Sequence, residues 1–259
     1  MDLEYLESVR LLELEYVLSE IKRETPGRNN ILEIGAGSGW QAKKLAENGY
    51  SVEAIDVDSS KYSKYRTWPI TIYDGKHIPF PDDCFDIVFS SNVLEHIPHI
   101  FAFQNEIKRV LKSDGIAVHV LPSGSWRFWT NVAHYAFIIK TITNIITKKQ
   151  ALSQGNHSNE SAIVDKINQL SKTEPIRKAA FPSRHGEIGS ALTEVYYFSK
   201  YWWSNMFKIT DWKIEKVFAN RLFYTGYIIF GSALSLKLRE HLSYIMGSSC
   251  HIFVLRKEQ

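Results

Sequence analysis

The sequence predicts a doubly wound α/β domain: a parallel sheet with helices on both faces and an inserted helical cap. Three observations carry this expectation. Short apolar runs alternate with segments of helical period through the first 121 residues. A glycine-rich turn closes the first of those runs. The rhythm breaks after Pro122 and resumes near Tyr197.

Each element has its own signal. Leu3, Leu6, Val9, Leu14, Val17, Leu18 and Ile21 recur at helical spacing, so residues 3–22 read as an amphipathic helix that Thr25-Pro26-Gly27 ends. Ile31–Ile34 is a first strand. Trp40–Asn48 is a helix stopped by Gly49, and Ser51–Asp56 alternates as a second strand. Residues 59–66 read as a short helix and Ile70–Tyr73 as a third strand. Phe85–Ser90 is a fourth strand, Phe101–Leu111 a helix, and Gly115–Leu121 a fifth strand. Residues 123–148 are then aromatic-rich, Ser153–Glu160 is a polar loop, Ser161–Leu170 is helical, and Pro175–Gly189 is loop-like. A helix near Tyr197–Phe207 and strands near Trp212–Ala219 and at His251–Arg256 complete the pattern. The expected organisation is 1–122 as the N-terminal helix and first part of the sheet domain, 123–196 as the inserted cap, and 197–259 as the closing helix and strands.

Composition narrows the function classes. Of 259 residues, 44% are hydrophobic, too many for a disordered chain. A formal charge of +3 is far from that of a dedicated nucleic-acid binder, so no nucleic-acid partner is expected. Two cysteines, Cys84 and Cys250, make no disulfide framework and point to a reducing, cytoplasmic setting. The start of the chain is acidic where a secretory signal would be basic. The longest uncharged stretch, Leu222–Leu236, has 15 residues where a membrane span needs about 20; it reads as buried sheet and loop. Residues 140–185 carry eight basic and three acidic side chains. Two readings of that charge are open: a solvated helical surface, or a surface for a phosphate-bearing acceptor or an anionic membrane.

The chemistry concentrates in Glu33-Ile34-Gly35-Ala36-Gly37-Ser38-Gly39-Trp40. Its glycines let the backbone turn tightly and approach a ligand closely. A dinucleotide fingerprint needs one more glycine where Trp40 stands, so a pyrophosphate cradle is disfavoured. Asp56 ends the second strand 21 residues after Gly35, where a carboxylate can accept both hydroxyls of a ribose.

With these features the chain resembles the class I S-adenosylmethionine-dependent methyltransferases, in particular the type 11 methyltransferase family. The resemblance covers about residues 30–121. It rests on Leu32–Gly39, on Ala54-Ile55-Asp56, on Ile78–Asp86 (Ile-Pro-Phe-Pro-Asp-Asp-Cys-Phe-Asp) and on Val93-Leu94-Glu95-His96-Ile97, in that order. It implies a Rossmann-like methyltransferase fold, S-adenosyl-L-methionine as cofactor and S-adenosyl-L-homocysteine as product. Gly35, Ala36 and Gly37 would pack against the methionine part, with Glu33 near its amino group. Asp56 would hold the ribose, and Val57 would line the adenine. Asp74 would face the adenine amino group with Gly75 beside it, while Ser90 and Ser91 would approach the sulfonium. Lys76-His77 stands where the family has acidic or small residues.

Methyl transfer to a hydroxyl also needs a group that takes the proton. His96, just beyond the fourth strand, is the first candidate; His185 and Glu187, with Glu194, form a second set in a glycine-containing loop of the insertion. Against a catalytic role stands the helix-cap or packing role of a histidine such as His96. No metal-ligand spacing is read from the sequence. The aromatics Trp126, Phe128, Trp129, Tyr135 and Phe137 fit three settings: a packed cap core, an acceptor pocket, or a bilayer interface beside Lys140, Lys148 and Lys149. The expected acceptor is a small molecule or a saccharide- or lipid-linked intermediate, with peripheral membrane contact left open. The rival readings are a nicotinamide-dependent oxidoreductase on the same sheet and a non-catalytic cofactor-binding or membrane-surface module.

Overall fold

A computed structural model describes residues 3–153, 182–226 and 234–258. Helix α1 (Leu3–Glu24) precedes β1 (Asn30–Ile34), α2 (Trp40–Glu47), β2 (Ser51–Val57), β3 (Thr71–Tyr73), β4 (Phe85–Ser91), α3 (Ile100–Val110) and β5 (Leu111–Pro122). After β5 come α4 (Gly124–Ser153), α5 (Glu194–Tyr197), α6 (Lys200–Ile209), β6 (Trp212–Ala219), α7 (Leu236–Met246) and β7 (Cys250–Lys257). The expected helix over 59–66 is a single 3₁₀ turn, Ser63–Tyr65, and a second such turn spans Leu94–His96.

The seven strands form one sheet in the order β3-β2-β1-β4-β5-β7-β6. Strands β1 to β5 pair in parallel, as the alternating pattern predicts. Strand β7 departs from that expectation: it is antiparallel to both β5 and β6. The cause is the connection, because Ala219 lies opposite His251 and the chain therefore leaves β6 and enters β7 at the same edge of the sheet.

Two apolar layers cover the sheet. One face holds Leu32, Ile34 and Val88 against Phe103 and Ile107 of α3 and Trp203, Met206 and Phe207 of α6. The other holds Ile31, Ile87, Phe89 and Val118 against Val9, Leu14, Val17 and Ile21 of α1 and Leu45 of α2. Strand alternation assigns these residues to opposite faces, which makes the doubly wound arrangement a direct consequence of the period of two. Leu111 leaves the expected helix: it pairs with Phe85 as the first residue of β5, and the register then slips so that Ile116 faces Ile87.

Leu222–Leu236 also differs from expectation. Leu222, Phe223 and Tyr224 are buried but join no strand, and Leu236 begins α7, a helix that the sequence pattern did not reveal. These residues find other backbone partners: Tyr224 N–H donates to Ser249 Oγ and Phe223 N–H to the Arg239 carbonyl. Of the insertion, the long α4 and residues 182–196 are described; the polar loop 153–160, apart from its first residue, and the expected helix 161–170 lie outside the described residues. Helix α5 runs across the expected cap boundary between 196 and 197. No described helix is long and apolar enough to cross a membrane.

Candidate functional site

The glycine-rich turn joins β1 to α2 at the C-terminal edge of the sheet. Gly35 and Ala36 both donate to the carbonyl of Ile55, at 2.8 and 3.1 Å, which ties the turn to β2. Gly35 has φ +72°, and a Cβ there would overlap the Val93 side chain. Only glycine fits that combination of angle and space.

Asp56 is buried and meets the turn directly. Its Oδ2 accepts from Gly37 N–H at 2.9 Å and its Oδ1 from Val57 N–H at 2.8 Å. Each oxygen retains a lone pair, the requirement for taking a ribose diol. Glu33 is 1% exposed and sits under the same turn. The Ala42 N–H in the first turn of α2 partly offsets the effect of its burial, and its Oε2 has no partner. Burial, with a contribution from the neighbouring charge of Asp56, pushes its carboxyl up to about 8. An orphaned buried carboxyl oxygen is what an ammonium group would satisfy, so Glu33 and Asp56 together fit the methionine and ribose ends of S-adenosylmethionine.

On the adenine side, Gly75 (φ +78°) lies against Val57, bringing the ends of β2 and β3 together. Asp74 is exposed and already engaged by its own turn. It accepts from the N–H groups of Lys76 and His77, each at 2.7 Å, and pairs with His77 Nδ1 at 2.9 Å. These donors hold its carboxyl well below the usual carboxylate range.

Ser90 requires a correction. Strand alternation turns its hydroxyl to the α6 face, where Oγ meets His119 Nδ1 at 2.7 Å, and His119 stacks on Phe207 at 5.9 Å. The Ser90 side chain is therefore part of the core and only its backbone can approach a cofactor. Ser91 stays partly exposed and accepts from Asn92 Nδ2 at 3.2 Å.

Beyond Val93, the 3₁₀ turn and the loop around residue 185 come together. Gly186 lies on the Glu95 carbonyl with no room for a side chain, and Glu187 N–H donates to that carbonyl at 2.9 Å. This brings His185 to His96 with ring centroids 4.8 Å apart, and His185 packs equally close to Trp126. Two histidines 89 positions apart in the chain thus share one site.

Between them lies Glu95, whose side chain is 0% exposed; its Oε1 is 3.9 Å from His96 Nε2 and 4.0 Å from His185 Nε2. Neither oxygen of Glu95 has a hydrogen-bond partner on another residue. Burial pushes its carboxyl up to about 8 and His185 down to about 4, and also lowers His96. Burial thus disfavours the protonated form of both imidazoles.

Glu187 is part of this rim, paired with Arg184 at 3.2 Å. Glu194, the other carboxylate of the expected base set, is fully buried and ion-paired to Arg127 at 2.7 Å. It also accepts from the N–H groups of His185 and Gly186, at 2.8 and 2.7 Å. It holds the backbone of the 185–186 loop.

The aromatic segment divides between its expected settings. Trp126 is buried against His185 and Phe198, and Trp129 donates to the Met246 carbonyl, whereas Phe128, Tyr135 and Phe137 are about half exposed. The side chains of Lys140, Lys148, Lys149, Lys166, Lys172, Arg177 and Lys178 lie outside the described residues.

Sequence reasoning missed the chemistry of Glu95 and a buried polar chain leading toward it. Glu13 of α1 accepts from Tyr224 Oη and Asn220 Nδ2; Tyr224 Oη touches Cys250 Sγ, which reaches Asn92 Oδ1. A signal existed for the start of this chain: Glu13 interrupts the apolar stripe of Val9 and Val17 on α1.

The order of strands, the glycine turn and the carboxylate ending β2 give the chain a Rossmann-like methyltransferase fold. Comparison with known proteins agrees. Residues 32–119 match a family described as a methyltransferase domain. An uncharacterized methyltransferase of Mycobacterium leprae is 27% identical over 195 residues, covering 68% of this chain and 70% of the relative. One from Mycobacterium sp. strain JLS is 31% identical over 101 residues, 36% of this chain and 39% of the relative. Among solved structures, a SAM-dependent methyltransferase from Methanosarcina mazei superposes with TM-score 0.53 at 15% identity, covering 92% of this chain and 96% of that one. One from Mesorhizobium loti gives 0.51 at 14% identity with the same two coverages. At these identities the structural likeness concerns the fold.

Proposed function

We propose that the protein transfers a methyl group from S-adenosylmethionine to an oxygen of a small-molecule or saccharide- or lipid-linked acceptor, in the cytoplasm. The observation that carries this reading is the proximity of two half-sites. Val93 packs on Gly35 of the cofactor turn and stands two residues before Glu95 of the His96–His185 cluster. A donor seated over the glycines would face an acceptor resting on the cluster.

The transfer is an in-line displacement in which the acceptor oxygen bonds to the methyl carbon as the carbon–sulfur bond breaks. Alignment of the two reactants is the protein's main contribution, of order 7–11 kcal/mol in favourable cases. The acceptor's proton passes to Glu187 or to water at the rim of the Glu95–His96–His185 cluster.

The test is thermal unfolding with S-adenosylmethionine, S-adenosylhomocysteine and NAD in parallel. A ligand at about 100 times its dissociation constant stabilises by about 2.7 kcal/mol, and each kcal/mol raises the midpoint by about 2–4 °C for a chain of this size. A shift with the two sulfur compounds alone is expected. A shift with NAD alone, or none at all, would sink the methyltransferase reading.

A further inference from the structure

We propose that Glu95, His96 and His185 form a binding site for one divalent cation of borderline softness, Zn²⁺ or a first-row neighbour. One ligand atom from each residue lies within 4.8 Å of the other two. Two imidazoles and a carboxylate are the donor set such cations take, and three protein ligands leave positions open for water or an acceptor oxygen.

The surroundings favour that occupant. The Glu95 carboxyl is completely enclosed with no hydrogen bond from another residue, a costly arrangement that a cation would repay. The two histidine side chains are 43% and 37% exposed, which gives an ion a path of entry and the rings freedom to turn. Metal–ligand bonds of about 2.0–2.2 Å place tetrahedral ligand atoms roughly 3.3–3.5 Å apart. The Glu95–His96 and Glu95–His185 distances of 3.9 and 4.0 Å therefore need only small ring rotations. Of the positive groups nearby, Arg127 is neutralised by Glu194 and Arg10 by Glu13, leaving Lys61 opposed by Glu187.

The proposal rests on the methyl-transfer reading for its use. A hydroxyl bound to the cation would give up its proton more readily, to water or to Glu187 at the rim. Its oxygen would then bond to the methyl carbon while the sulfonium leaves as a thioether, the cation keeping its oxidation state. Because the ligands come from two segments, the cation would also clamp the 184–187 loop onto the turn at 94–96.

The experiment uses the full chain dialysed against chelator, then titrated with Co²⁺ and Zn²⁺ and followed by visible absorption and calorimetry. One equivalent is expected, with the visible bands of imidazole-bound Co²⁺. Substituting His185→Asn or His96→Asn should weaken binding about tenfold or more, while His241→Asn on the surface leaves it unchanged. Glu95→Gln should weaken it too; if that variant fails to fold, the His185 variant on the loop decides. Absence of binding, or binding indifferent to His185 and His96, would overturn the site. S-adenosylmethionine stabilisation of the same samples separates the two claims, since it depends on the glycine turn and not on the cation.

Discussion

Arg127 of α4 and Glu194 of α5 form an ion pair with both side chains buried, and the same carboxylate holds the backbone of His185 and Gly186. One charge pair thus positions the loop that supplies half of the histidine cluster. Removing one partner strands a buried charge, so Arg127→Met should cost about 3–5 kcal/mol. Limited proteolysis should report cleavage near residues 182–189 in that variant, with S-adenosylmethionine stabilisation retained. Unchanged protease resistance would show that the loop is held by something else.

Gly35→Ala should damage both fold and cofactor binding. The substitution combines a left-handed backbone angle, costing about 1–2 kcal/mol, with an overlap against Val93 of similar or larger cost. Adding Val93→Ala should recover the steric part and leave the conformational part, a pattern that denaturant titration of the single and double variants would resolve.

Binding of S-adenosylmethionine should release a proton at pH 7. Glu33 is raised to about 8 by burial, so it is mostly protonated in the free protein. An ammonium beside its unpartnered oxygen favours the ionised form and drives the proton off. Calorimetry in two buffers of different ionisation enthalpy measures the number released, expected to approach one and to vanish in Glu33→Gln. The same group makes folding pH-dependent: its share of stability is complete below the ordinary carboxylate range and declines as pH rises through about 8.

His119 acts with the opposite sign. Burial lowers it to about 3, so the folded protein keeps it neutral while the unfolded chain protonates it near its usual 6.5. Its contribution is fully present above the unfolded value and is lost as pH falls toward about 3. Each pH unit within that window should cost up to about 1.4 kcal/mol. His251, lowered to about 4, adds in the same direction. Denaturant midpoints from pH 7 to 4 should fall more steeply in the native sequence than in a His119→Phe, Ser90→Ala double variant.

The first half of the fold was legible because strand and helix periods are local. Ser51–Asp56 and Phe85–Ser90 each fall within one residue of β2 and β4. The direction of β7 was not legible, since it depends on where the chain from Ala219 returns to the sheet and no local pattern records that. Helix α7 was hidden by Leu222–Leu236, whose uncharged run masked the helix start at Ser235, where Oγ accepts from Leu238 N–H. In the site, the tight turn at Gly35 and the strand-end carboxylate Asp56 were readable from glycine content and spacing, whereas Glu33 entered only through the family resemblance. Glu95 was quoted within a motif, yet its chemistry arises from burial against a loop 90 residues later. Ser90 was misplaced because a motif assigns a position in the chain, whereas strand alternation decides which way the side chain points.

The interior place of β7 has a consequence for biosynthesis. Of the seven strands, the one made last fills the slot between β5 and β6. Until residues 250–257 have emerged from the ribosome, β6 has no neighbour in the sheet, and β5 offers an open row of backbone donors and acceptors. The nascent protein therefore waits with the β5–β7 and β7–β6 ladders unformed, and a stalled or shortened translation product would carry a sticky edge at β5 where the finished molecule has none.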